Sequence, residues 1–90
     1  MKSIVVTGAS SGIGRKISQT LVSRGFRVFG SVRKTSDGKA VAAELGEKFV
    51  PLIFDVTDRE AIDAAAIQVE DALQGEKLAG LINNAGISVV

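Results

Sequence analysis

Seven residues near the N-terminus, Gly8-Ala9-Ser10-Ser11-Gly12-Ile13-Gly14, have the types and spacing of a phosphate-binding turn. Without a Cβ at the glycines, the backbone can approach a bulky anion closely. If such a turn opens a helix, the free N–H groups of the first helical turn hold phosphate oxygens, and the helix dipole favours their charge. Gly8 permits a tight exit from a preceding strand, Gly12 the approach of a pyrophosphate, and Gly14 close packing of the helix on the sheet. Ser10 and Ser11 add hydroxyl donors. Two other motifs overlap the stretch. A G-x-S-x-G nucleophile elbow needs a histidine base, and the chain has no histidine. A Walker A loop ends in Gly-Lys-Ser/Thr, where this chain reads Gly14-Arg15-Lys16. A purely structural glycine turn is the third alternative.

The turn has meaning only between a strand and a helix, and the flanking residues supply both. Ser3-Ile4-Val5-Val6-Thr7 reads as a strand buried on both faces. From about Ser11 to Arg24, the residues Ile13, Ile17 and Leu21 recur at helical spacing, and Gly25 marks the stop. Arg27 to Val32 is a second strand. Ser36 to Leu45 is a short helix with Ala40, Val41 and Leu45 on one side, closed by Gly46. Phe49 to Phe54 is a third strand, which Pro51 assigns to a sheet edge. Thr57-Asp58-Arg59-Glu60 has the form of a capping box and opens a helix to about Gln74. Ile62, Ala66, Val69 and Leu73 form its buried stripe and Gly75 ends it. Ala79 to Asn83 is a fourth strand. The order βαβαβαβ predicts an α/β fold of Rossmann type: a doubly wound parallel sheet, helices on both faces, strand order 3-2-1-4. The fourth strand lies where an intact sheet of this type continues with two more, and the sequence stops soon after, at Val90. The ninety residues read as one partial dinucleotide-binding domain.

Composition narrows the chemistry further. With neither cysteine nor histidine, the chain offers no disulfide framework, no ordinary zinc site and no histidine base. No apolar run approaches the ~20 residues of a membrane span, and Met1-Lys2-Ser3 precedes too few apolar residues for a signal-peptide core. A cytoplasmic setting is expected. The net charge of +1 conceals an asymmetry. Residues 1–39 hold eight Lys/Arg against Asp37, whereas residues 40–90 hold three against nine Asp/Glu. The basic half suits a nucleotide phosphate, although solvated helix faces account for the same charges. Four Phe as the whole aromatic content, with no basic helix, argue against a nucleic-acid partner.

The segment Thr7-Gly8-Ala9-Ser10-Ser11-Gly12-Ile13-Gly14 resembles the T-G-x-x-x-G-I-G signature of classical short-chain dehydrogenases/reductases. Asp55-Val56-Thr57 after strand three and Asn83-Asn84-Ala85-Gly86 after strand four resemble two further motifs of that family, so the likeness covers all ninety residues. The resemblance implies that the Asp55 carboxylate meets the adenine amino group and that the Val56 backbone meets the ring edge. It also implies that Asn83, Ala85 and Gly86 line the adenosine ribose and the path toward the nicotinamide. A junction cap for Asp55, and a structural role for the amides of Asn83 and Asn84, are the alternatives. Val32 stands where NAD-preferring relatives carry Asp, and Arg33 follows, as in NADP-preferring ones. A guanidinium there pairs with a 2′-phosphate, with Ser31 and Lys34 able to assist, so NADP is expected over NAD. The expected cofactor-binding set is therefore Gly8, Ser10, Ser11, Gly12, Ile13, Gly14, Arg33, Asp55, Val56, Asn83, Ala85 and Gly86.

The family's reaction is hydride transfer between a nicotinamide and a carbonyl or alcohol, with a Tyr-x-x-x-Lys pair and a serine beyond the last of these motifs. This chain contains no tyrosine, so no catalytic residue is assigned, and no metal site either. The leading expectation is the N-terminal cofactor-binding portion of an NADP-dependent oxidoreductase, whose intact parent takes a small substrate and self-associates. The alternative is a non-catalytic nucleotide-binding or dimerising module, with the edge of strand four and Ile87, Val89 and Val90 as a contact surface. A receiver-like domain with Asp55 as phosphoacceptor would need acidic residues after strand one, where Thr7-Gly8 stand.

Overall fold

The run Ser3-Ile4-Val5-Val6, rich in β-branched side chains, forms β1 (Ser3–Val6) at the centre of a four-stranded parallel sheet. The computed structural model describes residues 1–10 and 12–84. Ser11, Ala85 and Gly86 of the expected site, and the apolar residues Ile87, Val89 and Val90, lie outside the described residues. After β1 come α1 (Gly12–Ser23), β2 (Arg27–Val32), α2 (Thr35–Leu45), β3 (Phe49–Ile53), α3 (Arg59–Leu73) and β4 (Gly80–Ile82). The sheet order is β3-β2-β1-β4, the Rossmann-type arrangement expected from the alternation of elements. Register is set by Val6 opposite Gly30 and Ile82, and by Gly30 opposite Pro51.

The pleat sends alternate side chains to two cores. Ile4, Val6, Val28, Val32 and Phe49 meet Val41 of α2 and Ile17 and Leu21 of α1 on one face. Phe29 and Leu52 meet Ala65 and Val69 of α3 on the other. Gly30 faces the first core, where a Cβ would stand 2.3 Å from the Phe49 ring. The α3 face is only partly covered. An open apolar groove of about 450 Å³ runs along Val5, Phe54, Ile62, Leu73, Leu78 and Leu81, and Leu81 is 66% exposed.

Several local expectations require correction. Ile13 lies outside the buried stripe of α1, 61% exposed, because the first turn overhangs the end of the sheet. In α2 it is Ala42, not the exposed Ala40, that packs inward. In α3 the buried alanine is Ala65, and Ala66 is exposed. The cap of α3 is Asp58, which accepts from Ala61 N–H at 3.1 Å, because Thr57 is engaged elsewhere. That helix closes on Gln74 in the left-handed region (φ 50°), one residue before Gly75.

Candidate functional site

Where β1 ends, Gly8 turns the chain with φ 66°, Ala9 is fully buried and Gly12 (φ 58°) starts α1. Positive φ at both positions is the reason glycine suits them. Gly14 has a different reason. A Cβ there would lie 1.9 Å from the Gly8 oxygen and 2.7 Å from Asn84 Nδ2, so the helix rests directly on the turn, as its expected packing role requires. The first turn of α1 carries no acidic side chain, which leaves the positive end of the helix dipole uncompensated. Arg15 braces the turn from outside, with an ion pair to Glu44 of α2 at 2.8 Å and a guanidinium N–H to the Ser10 carbonyl at 3.4 Å.

The end of β4 is tied to the same turn. Asn84 Nδ2 donates to the Gly8 oxygen at 3.0 Å, and the Thr7 hydroxyl donates to Asn83 Oδ1 at 3.0 Å. Asn84 thus satisfies a backbone group, as the structural alternative has it, whereas Asn83 meets a side-chain hydroxyl. Asn84, absent from the expected binding set, is the one that reaches the glycine turn.

The turn forms one wall of a cleft of about 380 Å³, lined by Gly8, Ser10, Ser31, Val32, Arg33, Phe54, Asp55, Val56 and Thr57. Five of the expected residues meet there: Gly8, Ser10, Arg33, Asp55 and Val56. Gly12 and Ile13 lie at the exposed N-terminus of α1, Gly14 lies beneath the turn and Asn83 sits at the end of β4. Ser31, Val32, Phe54 and Thr57 complete the lining. Of these, Phe54 shows in no motif, because it is a strand-end residue whose place depends on sheet register.

Asp55 is held by its own chain. Its Oδ1 accepts from Thr57 N–H at 2.9 Å and from the Thr57 hydroxyl at 2.8 Å, and these bonds hold the carboxyl below its ordinary value of 3.8. Across the cleft the Arg33 guanidinium approaches Oδ2 at 3.5 Å and acts in the same direction, while partial desolvation opposes both. Arg33 is 80% exposed and Asp55 42%, so solvent screens the pair. The cleft therefore presents the glycine turn at one end, a fixed carboxylate acceptor in the middle and an exposed cation at the rim. That set fits the adenosine–pyrophosphate half of a dinucleotide. Among the described residues there is no cluster of metal-ligating side chains, and no helix is long and apolar enough to cross a membrane.

Comparison with known proteins agrees with this geometry. A family profile described as short chain dehydrogenase matches residues 2–90. The NADPH-dependent 3-dehydrocapnine reductase of Ornithobacterium rhinotracheale is 41% identical over 88 residues, which are 98% of this chain and 31% of that protein. The structure of 3-ketoacyl-(acyl-carrier-protein) reductase from Brucella melitensis, complexed with NADH, is 30% identical with a TM-score of 0.75, over 89% of this chain and 32% of that one. A short chain dehydrogenase from Bacillus anthracis shares the fold at 23% identity, with a TM-score of 0.83 over 92% of this chain and 34% of that one. The chain spans about a third of the length of these three proteins. From the glycine turn, the sheet order and the profile match together, the chain belongs to the short chain dehydrogenase family and forms that family's nucleotide-binding Rossmann fold.

Proposed function

We propose that this chain supplies the adenosine and pyrophosphate side of the cofactor site of an NADP-dependent oxidoreductase, which moves hydride between a nicotinamide and a carbonyl or alcohol substrate. The observation that carries the reading is the position of Arg33, exposed at the rim of the cleft and opposite Asp55. Its planar fork matches the oxygens of a 2′-phosphate. Its contact with Asp55 is an exposed pair of small worth, which an incoming phosphate displaces at little cost. In this reading Asp55 Oδ2 accepts from the adenine amino group, the half of the carboxylate that Thr57 leaves open. Val56, 58% exposed, borders the ring edge. The glycine turn, with Ser10, Ser11 and the α1 terminus through Gly12, Ile13 and Gly14, receives the pyrophosphate, and Asn83, Ala85 and Gly86 line the path toward the nicotinamide. The bound cofactor supplies the hydride chemistry. No tyrosine stands in these ninety residues, so the acid–base pair implied by the family resemblance has no counterpart here. The relative named for NADPH supports the cofactor preference, and the relative crystallised with NADH represents its competitor.

Titration of the chain with 2′,5′-ADP and 5′-ADP, followed by NADPH and NADH, tests the reading. Binding is expected to be weak, with the 2′-phosphate favoured by about tenfold, the worth of one charge-assisted hydrogen-bonded contact. Arg33→Asp should reverse the order. An unchanged preference in that variant rejects the role of Arg33, and a wild-type chain that binds neither nucleotide rejects the cofactor site itself.

A second reading, a non-catalytic dimerising module, is favoured by one feature: the apolar groove beside α3 and the exposed Leu81 on edge strand β4. Sedimentation velocity over a range of concentrations decides it, since a monomer throughout rules it out.

A further inference from the structure

Ser31 is 3% exposed at the end of β2, and two consecutive amides of the glycine turn converge on it. Gly8 N–H donates to its Oγ at 2.9 Å, and Ala9 N–H donates to its main-chain oxygen at 2.8 Å. Any residue offers the second acceptor; the first needs a short polar side chain, here the Ser31 hydroxyl. The regular pairing of β1 with β2 ends at Val6 opposite Gly30, and beyond it the turn meets β2 through Ser31. The Gly8 peptide is then gripped from three directions: by Ser31 of β2, by Asn84 after β4 and by the close approach of Gly14 in α1. Of these three, Ser31 is the one joined through a single residue, Val32, to Arg33. The Ser31 oxygen that accepts from Gly8 is thus a framework contact, whatever its hydroxyl hydrogen does toward a phosphate.

We propose that Ser31 is a positioning residue that clamps the glycine turn to the end of β2, and so fixes the phosphate-binding helix terminus that both kinds of nucleotide share. The proposal rests on the nucleotide-binding reading above. Glycine at φ 66° contributes little restraint of its own, so the direction of the Gly8 amide depends on its acceptor. Loss of Oγ leaves that amide unpaired and lets the turn, with the pyrophosphate-binding terminus it carries, drift from the end of β2. The clamp precedes any contact with the 2′-phosphate, so its loss weakens ligands with and without that group equally. That pattern separates it from Arg33, whose removal changes the ratio.

The test compares Ser31→Ala, Ser31→Thr and Ser31→Cys in the ninety-residue chain. Cysteine nearly matches serine in size but is a weak acceptor, and threonine keeps the hydroxyl. Titration with 2′,5′-ADP and 5′-ADP should show both affinities falling about tenfold in the Ala and Cys variants, the effect of one hydrogen bond, with recovery in Thr. Independently of any ligand, hydrogen exchange at the Gly8 amide should quicken in Ala and Cys and return to the wild-type rate in Thr. Unchanged exchange in the Cys variant overturns the clamp whatever the nucleotides do. Altered exchange with unchanged affinities overturns the positioning role. If Ser31→Ala does not fold, equal affinities for Cys and Thr overturn it as well. A wild-type chain that binds neither nucleotide while the exchange pattern holds refutes the nucleotide-binding reading, and with it the positioning role, and leaves the clamp standing as structure alone.

Discussion

Gly14→Ala is the sharpest probe of how the turn and the helix fit. The new methyl would lie 1.9 Å from the Gly8 oxygen, where real Cβ contacts are essentially never under 3.0 Å, so helix and turn must separate by about 1.1 Å. Both obstructing groups nearest the methyl are fixed: a backbone carbonyl, and the Asn84 amide that is hydrogen-bonded to it. Overpacking of this kind costs about 3 kcal/mol, and alanine's better helix propensity returns about 1 kcal/mol. The net loss is roughly 2 kcal/mol from a total of about 5–13 kcal/mol for ninety residues. Gly12→Ala is the control, since its methyl meets nothing within 4 Å and it suffers only from the φ of 58°, at about 1–2 kcal/mol. Urea unfolding followed by far-UV circular dichroism measures both. The reasoning fails if Gly14→Ala loses less than Gly12→Ala, or if it unfolds at the wild-type midpoint.

Other perturbations have equally definite outcomes. Asp58→Ala removes the acceptor for Ala61 N–H and should cost about 1 kcal/mol in urea unfolding, while Thr57→Ala, which is not a cap, should leave the stability of α3 nearly intact. Arg27 donates to Ser3 Oγ at 2.9 Å and to the Ala72 carbonyl at 3.3 Å, and its guanidinium lies 5.0 Å from the centre of the Phe29 ring. Arg27→Ala should therefore lower stability by about 1–3 kcal/mol, and equal midpoints would remove it from the framework. Because folding lowers the Asp55 carboxyl, its contribution is complete above its ordinary value of 3.8 and disappears as pH falls through the lower folded value. Asp55→Asn should flatten that acid limb of the stability profile; superimposable limbs in the two proteins would contradict the assignment.

The architecture could be read from the chain because its signals are of long range in sequence and simple in period. Four apolar runs, each followed by a turn and most by an amphipathic stretch, leave few arrangements other than a parallel sheet, and Pro51 selects the edge for β3. Residue-level packing was less legible where small side chains carry it. Alanines at 40, 42, 65 and 66 look alike in a pattern, and a spacing of four residues advances 40° beyond a full turn, so a stripe drifts around the helix. Ile13 falls at the start of such a drift and is left exposed at the N-terminus of α1. At the site, motifs located the glycine turn, Arg33 and Asp55. They marked Ser31 only as an aid to Arg33 and not as the acceptor of Gly8 N–H, a contact across 23 residues that depends on strand register. Thr57 was read as a cap because its spacing to Glu60 suits one. The nearer carboxylate of Asp55 captures its hydroxyl first.

Pro51 has a consequence for what can join this sheet. Phe54 N–H donates to the Val32 carbonyl, so alternation along β3 turns the nitrogen of residue 51 away from β2 and toward open solvent. A strand arriving at that edge would find no donor at the middle of the row, and the edge resists growth. Among the described residues the opposite edge, at β4, has no such block: three residues, Gly80–Ile82, with Leu81 exposed. The sheet thus has a direction. Any added strand, from further along a longer chain or from a neighbour in a concentrated solution, is steered to the β4 side, and aggregation, if provoked, should nucleate there rather than at β3.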